Sequence, residues 1–235
     1  MSYEVCQSSA NPRLLILLTD ELEESVRVVN KIIDLLINLH FDGNAPKNRC
    51  FISVLGYSGN AQKLCSGWLS ELDSSPLRTE ITEKEVPDGV GGKINVKVMQ
   101  PIWVEPSNKH LSNELYSNSI RLATQCCETW SNKFLMSPII IDCSEECHVD
   151  YAMDEIDKMK RIQTLDGPVL FWGCYSNQNR VKDIPFSKIP QKWNEQLYKY
   201  NLNEKDYING CLSREALFAI LTSLMEMGGD KGIEL

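Results

Sequence analysis

Three groups of residues in this chain carry side chains that do chemistry. The first is acidic. Asp20 ends the run Leu14-Leu15-Ile16-Leu17-Leu18-Thr19, and Glu21, Glu23 and Glu24 follow at once. Asp20, Glu24, Glu114, Asp142 and Glu145 are placed near the strand ends and supply hard oxygen donors of the kind that hold Mg²⁺ or Ca²⁺. Glu21, Glu23 and Glu24 also stand where a helix begins, and negative charge there complements the helix dipole, with the remaining carboxylates facing water. The second group is Cys143-Ser144-Glu145-Glu146-Cys147-His148. Zinc takes four N or S ligands, commonly from two Cys or His pairs, and only one such pair stands here unless Cys126-Cys127 joins it. A thiol nucleophile needs a base held against it. His40, His110 and His148 are the histidines of the chain, and their spacing orders none of them about Cys143, which at the end of a buried strand reads as a small core hydrophobe. The third group, Gly89, Gly91 and Gly92, lies between two strands rather than at a strand-to-helix turn, so it is no phosphate cradle.

The elements that must position these groups alternate between short apolar runs and longer helical stretches, the pattern of βαβ units around a mostly parallel sheet. Leu14–Leu18 is too short for a helix and suits a strand covered on both faces. Val26, Val29, Ile33 and Leu36 follow at helical spacing to about Leu39. A second strand spans Cys50–Leu55, closed by Gly56 and Ser58-Gly59-Asn60. The spacing of Leu64 to Leu72 predicts a partial helix within 61–76. Thr79–Val86 and Lys93–Met99 alternate as strands around Pro87-Asp88-Gly89-Val90-Gly91-Gly92, a hairpin. Further on the pattern predicts a helix from Leu111 to Trp130, a buried strand Pro138–Cys143, a helix Tyr151–Leu165 and a buried strand Val169–Cys174. Helices near Gln191–Tyr200 and Ser213–Met227 follow, the last ended by Gly228-Gly229. The expected fold class is α/β: a Rossmann-like doubly wound mostly parallel sheet with helices on both faces and an inserted β-hairpin.

Composition narrows the classes of function. The chain has 235 residues, nine cysteines and a net charge of −8. Such a charge opposes non-specific attachment to phosphate backbones, which relies on clustered Lys and Arg. The densest basic cluster, Lys158-Met159-Lys160-Arg161, reads as a solvated helix face. No stretch approaches the roughly 18 apolar residues of a membrane span, and the N-terminal residues lack the basic and apolar regions of a secretory signal. The odd cysteine count argues against a closed disulfide framework. A cytoplasmic protein with free thiols, and with no nucleic-acid or membrane partner, is expected.

Val86-Pro87-Asp88-Gly89-Val90-Gly91-Gly92, with Pro101-Ile102-Trp103-Val104-Glu105-Pro106, resembles a hairpin of bacterial cytosolic von Willebrand factor A proteins, in the tellurite-resistance-associated branch. Leu14–Asp20 and Ile52–Gly59 resemble the first and second strands of that family, and the likeness runs from about Arg13 to Met227. It implies one domain over 13–228, with the hairpin inserted at about 77–106 between tails at 1–12 and 229–235. It also implies a metal-ion-dependent adhesion site, with Asp-x-Ser-x-Ser after the first strand, a Thr from a later loop and an Asp after the fourth strand. Here Asp20 is followed by Glu21, and Leu22 and Glu24 stand where hydroxyls belong. Glu114 lies near the Thr position, within Leu111-Ser112-Asn113-Glu114-Leu115, and Ser144 replaces the later Asp.

The resemblance therefore implies a von Willebrand A module with a degenerate metal site, no cofactor and no catalytic residues. Such a module acts as an adaptor in a bacterial stress or defence system, with protein partners that include a kinase or phosphatase of the same system. The partner-binding face is expected to carry Asp20, Glu21, Glu24, Ser112, Glu114, Ser144 and Glu145. Two alternatives stand beside it: a divalent-metal-dependent binder with a rebuilt acidic site, and a cysteine-dependent enzyme using Cys143.

Overall fold

The computed structural model describes residues 7–87, 89, 92–107, 111–176, 186–187 and 212–226. Strands β1 (Arg13–Thr19), β2 (Cys50–Gly56), β3 (Gln62–Trp68), β6 (Ile139–Ser144) and β7 (Leu170–Tyr175) form a sheet in the order β3-β2-β1-β6-β7. β1 pairs in parallel with β2 and β6, and β6 with β7, while β3 runs antiparallel to β2. The inner strands are buried along nearly their whole length, and alternate side chains point to opposite faces of the sheet. Leu15, Leu17, Ile52, Val54, Ile141, Cys143 and Trp172 pack with helix α1 (Glu23–Leu39), the short α2 (Leu69–Ser74) and α5 (Arg214–Glu226). Leu14, Ile16, Leu18, Leu55, Ile140 and Phe171 pack with α3 (Asn113–Ser131) and α4 (Met153–Lys160). The protein is thus α/β, a mixed and mostly parallel five-stranded sheet flanked by helices, of the Rossmann-like class.

β4 (Arg78–Pro87) and β5 (Lys93–Ile102) form the expected hairpin, paired over their whole length in a two-stranded sheet of their own. The hairpin therefore does not extend the main sheet. Its tail is tied to α1 by the buried Asn30, whose Oδ1 accepts from the Trp103 and Val104 amides (2.9 and 3.1 Å) and whose Nδ2 donates to the Val104 carbonyl (2.8 Å). Trp103 Nε1 donates to the Leu72 carbonyl at 2.7 Å, so this tryptophan is structural.

The segment 61–76 departs from expectation. Instead of one partial helix it forms β3 and then the single-turn-scale α2. The turn at Ser58-Gly59-Asn60, with Gly59 at φ 72°, reverses the chain and lays residues 62–68 along the open edge of β2. Pairing the backbone groups of that edge outweighs the helical spacing of Leu64, Trp68 and Leu72. The helix expected over 151–165 is also shorter: a 3-10 turn at Val149–Tyr151 precedes α4, which ends at Lys160. The helix expected at 191–200 and the glycine stop at 228–229 lie outside the described residues. Among the described residues no helix is long and apolar enough to cross a membrane.

Candidate functional site at the strand ends

The strand order reverses at β1. From β1 the chain moves outward to β2 and β3, then returns to β6 on the other side. In open α/β sheets the crevice outside the carboxyl ends at such a switch point is where ligands bind. Here it is flanked by Thr19-Asp20-Glu21 at the end of β1 and by Ser144-Glu145 at the end of β6.

The chain at this point is held by backbone donors. Asp20 is 1% exposed; its Oδ1 accepts from the Leu22 amide at 3.1 Å and its Oδ2 from the Glu145 amide at 2.6 Å, which clamps the two loops of the switch point together. Glu21 has φ 61°, a left-handed conformation that costs a non-glycine residue about 1–2 kcal/mol. Three contacts outweigh that strain. Its amide donates to Thr19 Oγ1 (3.0 Å), its carbonyl accepts from the Ser107 amide (2.9 Å), and its buried carboxylate accepts from the Ser58 amide (2.9 Å). Glu21 thereby staples the end of β1 to the turn after β2 and to the hairpin tail. The carboxylate lies over Gly56, where a Cβ would come within 2.3 Å of Glu21 Oε1, so glycine is needed there for close approach.

Beneath these loops lies a polar network that parity along β6 directs toward α3. Asp142 is fully buried, and its Oδ2 accepts from Tyr116 Oη (3.0 Å) and Tyr175 Oη (2.9 Å). Ser144 Oγ donates to Asp142 Oδ1 and accepts from Tyr57 Oη at 2.6 Å, which completes a Tyr57–Ser144–Asp142 relay. Gly173 leaves the space that lets the Tyr175 ring fold back onto Asp142: a Cβ there would meet Tyr175 Cε2 at 2.4 Å. Burial pushes the Asp142 carboxyl up to about 7 against the opposing hydrogen bonds from Ser144, Tyr175 and Tyr116, with Asp20 adding to the rise. Burial likewise holds the Tyr57, Tyr116 and Tyr175 hydroxyls well above their ordinary value, so all three act as donors. The His148 ring packs edge-on to Tyr57 and tilted on Tyr116, at centroid distances of 6.1 and 5.8 Å.

Of the seven residues expected on this face, the structure brings Asp20, Glu21 and Ser144 into the closed layer. Glu24 is turned aside: its carboxylate takes Arg27 at 2.5 Å and Arg214 at 3.1 Å, linking α1 to α5. Ser112 is the N-cap of α3, accepting from the Leu115 amide at 3.2 Å. Glu114 and Glu145 are exposed, and Glu145 enters the layer through its backbone amide alone. The spacing of the acidic residues did not single out Tyr57, Tyr116 and Tyr175 as partners of Asp142. A usable signal was present, since Tyr57 directly follows β2, Tyr175 closes β7 and Tyr116 lies in the first turn of α3, all at the same end of the sheet.

The donors present do not fit the octahedral oxygen cage that Mg²⁺ requires. Both Asp20 oxygens and the Glu21 carboxylate already accept from backbone amides, Asp142 is directed at tyrosine hydroxyls, and Leu22 has no oxygen to offer. No group of three or more His, Cys, Asp or Glu side chains gathers in a metal-holding arrangement among the described residues. Of the described cysteines, Cys50, Cys127, Cys143 and Cys174 are buried and the others half-buried. Cys143 faces the α1 side of the sheet beside Cys174, opposite to Asp142 and Ser144, and burial raises its thiol well above the ordinary value. Burial pushes Cys147 up to about 11. Both shifts oppose the low thiol pKa that a nucleophile needs. In comparison with known proteins, the chain matches no family model and no curated protein.

Proposed function

We propose that this chain is a non-enzymatic protein-interaction module of the von Willebrand A type, an adaptor or scaffold that binds its partner at the strand-end face without a metal ion. The observation that carries the reading is the closure of that face from within. Asp20 and Glu21 use their carboxylates to bind the loops together, so the geometry a metal would otherwise organise is held by backbone donors. What such a face presents outward is the exposed acid of Glu114 and Glu145, which suits a partner with a basic patch. On this reading the protein works in the cytoplasm of a bacterial stress or defence system, where a kinase or phosphatase of that system is the natural partner class.

Glu114→Lys with Glu145→Lys alters two exposed side chains and leaves the buried layer intact. The double variant is expected to bind native partners at least about tenfold more weakly, a loss of about 1.4 kcal/mol, while wild-type binding persists in excess chelator. Partners that remain on the double variant, or that leave the wild type on chelation, would contradict the reading.

A further inference from the structure

A second site lies toward the other end of the sheet, on its α3 face. A cavity of about 350 Å³ opens between β2, β3 and the C-terminal half of α3, within the size range of small-molecule pockets. Its wall is aromatic. Phe51 and Trp68 meet edge to face at 5.1 Å, and Trp130 lies 4.2 Å from Phe134 and 6.1 Å from Trp68. Two buried polar groups in this wall have no hydrogen-bond partner: the hydroxyl of Ser53, 2% exposed, and the indole N–H of Trp130, 8% exposed. Buried polar groups are nearly always satisfied, so two orphans in the lining of one cavity point to a ligand that supplies their partners.

The mouth carries charge of one sign. Lys63 and Lys133 line it, both exposed and neither ion-paired among the described residues, and no carboxylate is among the cavity's lining residues. Lys63 arrives there through a defect in pairing. Phe51 pairs with Trp68 and Ser53 with Ser66, so regular alternation would bring Leu64 to this face; the bulge opposite Val54/Leu55 pairs Leu55 with Lys63 instead. One extra residue thus exchanges a leucine for a lysine at the cavity and sends Leu64 to the opposite core. In a chain of net charge −8, two unpaired lysines over an aromatic wall form a local anion site.

We propose that this cavity binds a small flat aromatic anion, its ring against Trp68 and Phe134, its carboxylate at Lys63 and Lys133 and its polar edge partnering the Ser53 hydroxyl and the Trp130 indole N–H. The site is independent of the strand-end face.

Calorimetric titration of the full chain with 6-hydroxy-2-naphthoate, and with the uncharged 6-hydroxy-2-naphthamide as its match in shape, tests the assignment. Naphthoate is expected to bind with 1:1 stoichiometry, at least about tenfold tighter than the amide, and more weakly as salt rises. Lys63→Gln with Lys133→Gln, both surface changes, should bring the two ligands to near parity. Thr129→Trp should fill the cavity and abolish both, while bound naphthoate should slow alkylation of the lining Cys126 in the wild-type chain. Equal affinities in the wild type, an acid preference that survives loss of both lysines, or no saturable binding of either compound would overturn the proposal. Tighter binding of the amide would overturn it too, marking the cavity as an apolar cleft for a partner's side chain.

Discussion

Asp142→Asn is expected to remove a fall in stability of on the order of 4 kcal/mol that the wild-type protein undergoes between about pH 4 and pH 7. The Asp142 carboxyl is raised from 3.8 to about 7 in the folded protein, burial being the largest cause. Between those values the folded chain holds a proton that the unfolded chain has released. The stabilisation is therefore complete below about pH 4 and is lost as pH rises through the folded value. At 1.36 kcal/mol per unit, a shift of about three units sets the scale. Asparagine keeps the shape and can keep the network: its carbonyl oxygen accepts from Tyr116 and Tyr175 while its amide donates to Ser144. His40 titrates over much the same window with the opposite sign. Burial lowers it from 6.5 to about 4, so the stability it contributes is present above pH 6.5 and lost as pH falls through 4. The wild-type profile alone would mix the two groups. His40 is common to both proteins, so the difference between urea unfolding of wild type and variant at pH 5 and pH 8 isolates Asp142. A difference that does not change with pH would show that Asp142 is ionised throughout.

Arg13→Met is expected to cost about 3–5 kcal/mol, the usual penalty for breaking a buried ion pair by removing one partner. Arg13 opens β1 at 3% exposure, and its guanidinium donates to Asp166 (3.0 Å), to the Ser137 carbonyl (2.6 Å) and to Gln7 Oε1 (3.4 Å). These bonds tie the start of β1 to the segments that enter β6 and β7, and Gln7 continues the tie to the Arg49 carbonyl before β2 (2.9 Å). Burial lowers the Arg13 pKa and Asp166 opposes that lowering. Loss of the arginine leaves the buried Asp166 carboxylate without that charge, still accepting from the Ser137 amide at 3.3 Å. Arg13→Met with Asp166→Leu should recover much of the loss, since apolar pairs of similar volume replace buried ion pairs at little net cost. Chemical denaturation of the single and double variants measures both numbers. A double variant as unstable as the single one would show that the hydrogen bonds to Ser137 and Gln7, rather than the charge pair, hold this corner.

How much of this was legible in the sequence depends on which force decided each element. The strands at 14–18, 50–55, 138–143 and 169–174 are predominantly apolar runs, broken only by Ser53 and Asp142 among polar residues, and burial on both faces leaves such runs no alternative, so they read directly. The hairpin read equally well because alternation and turn chemistry act locally. β3 did not. Gln62–Trp68 carries no strand alternation of its own and is extended because β2 offers an open edge, a tertiary cause invisible in the segment. In the site, Asp20 and Ser144 were legible as the residues that follow two buried strands. The fates of the others were not: Glu24 turns to Arg214, 190 positions away, and Glu21 turns inward through a left-handed backbone conformation. The tyrosines around Asp142 were missed because a neutral hydroxyl carries no pattern until the fold shows which carboxylate it faces. The cavity stayed hidden for a similar reason, since a one-residue bulge decides that Lys63 and not Leu64 points into it.

Backbone donors, not a cation, organise the strand-end face. Calorimetric titration of the chelator-stripped protein with Mg²⁺, Mn²⁺ and Ca²⁺, repeated on Asp20→Asn, tests this most directly. No saturable heat is expected with any of the three ions, and no rise in thermal stability on adding them. Micromolar binding by the wild-type protein, lost in the Asp20 variant, would contradict this and make the acidic residues at the strand ends ligands.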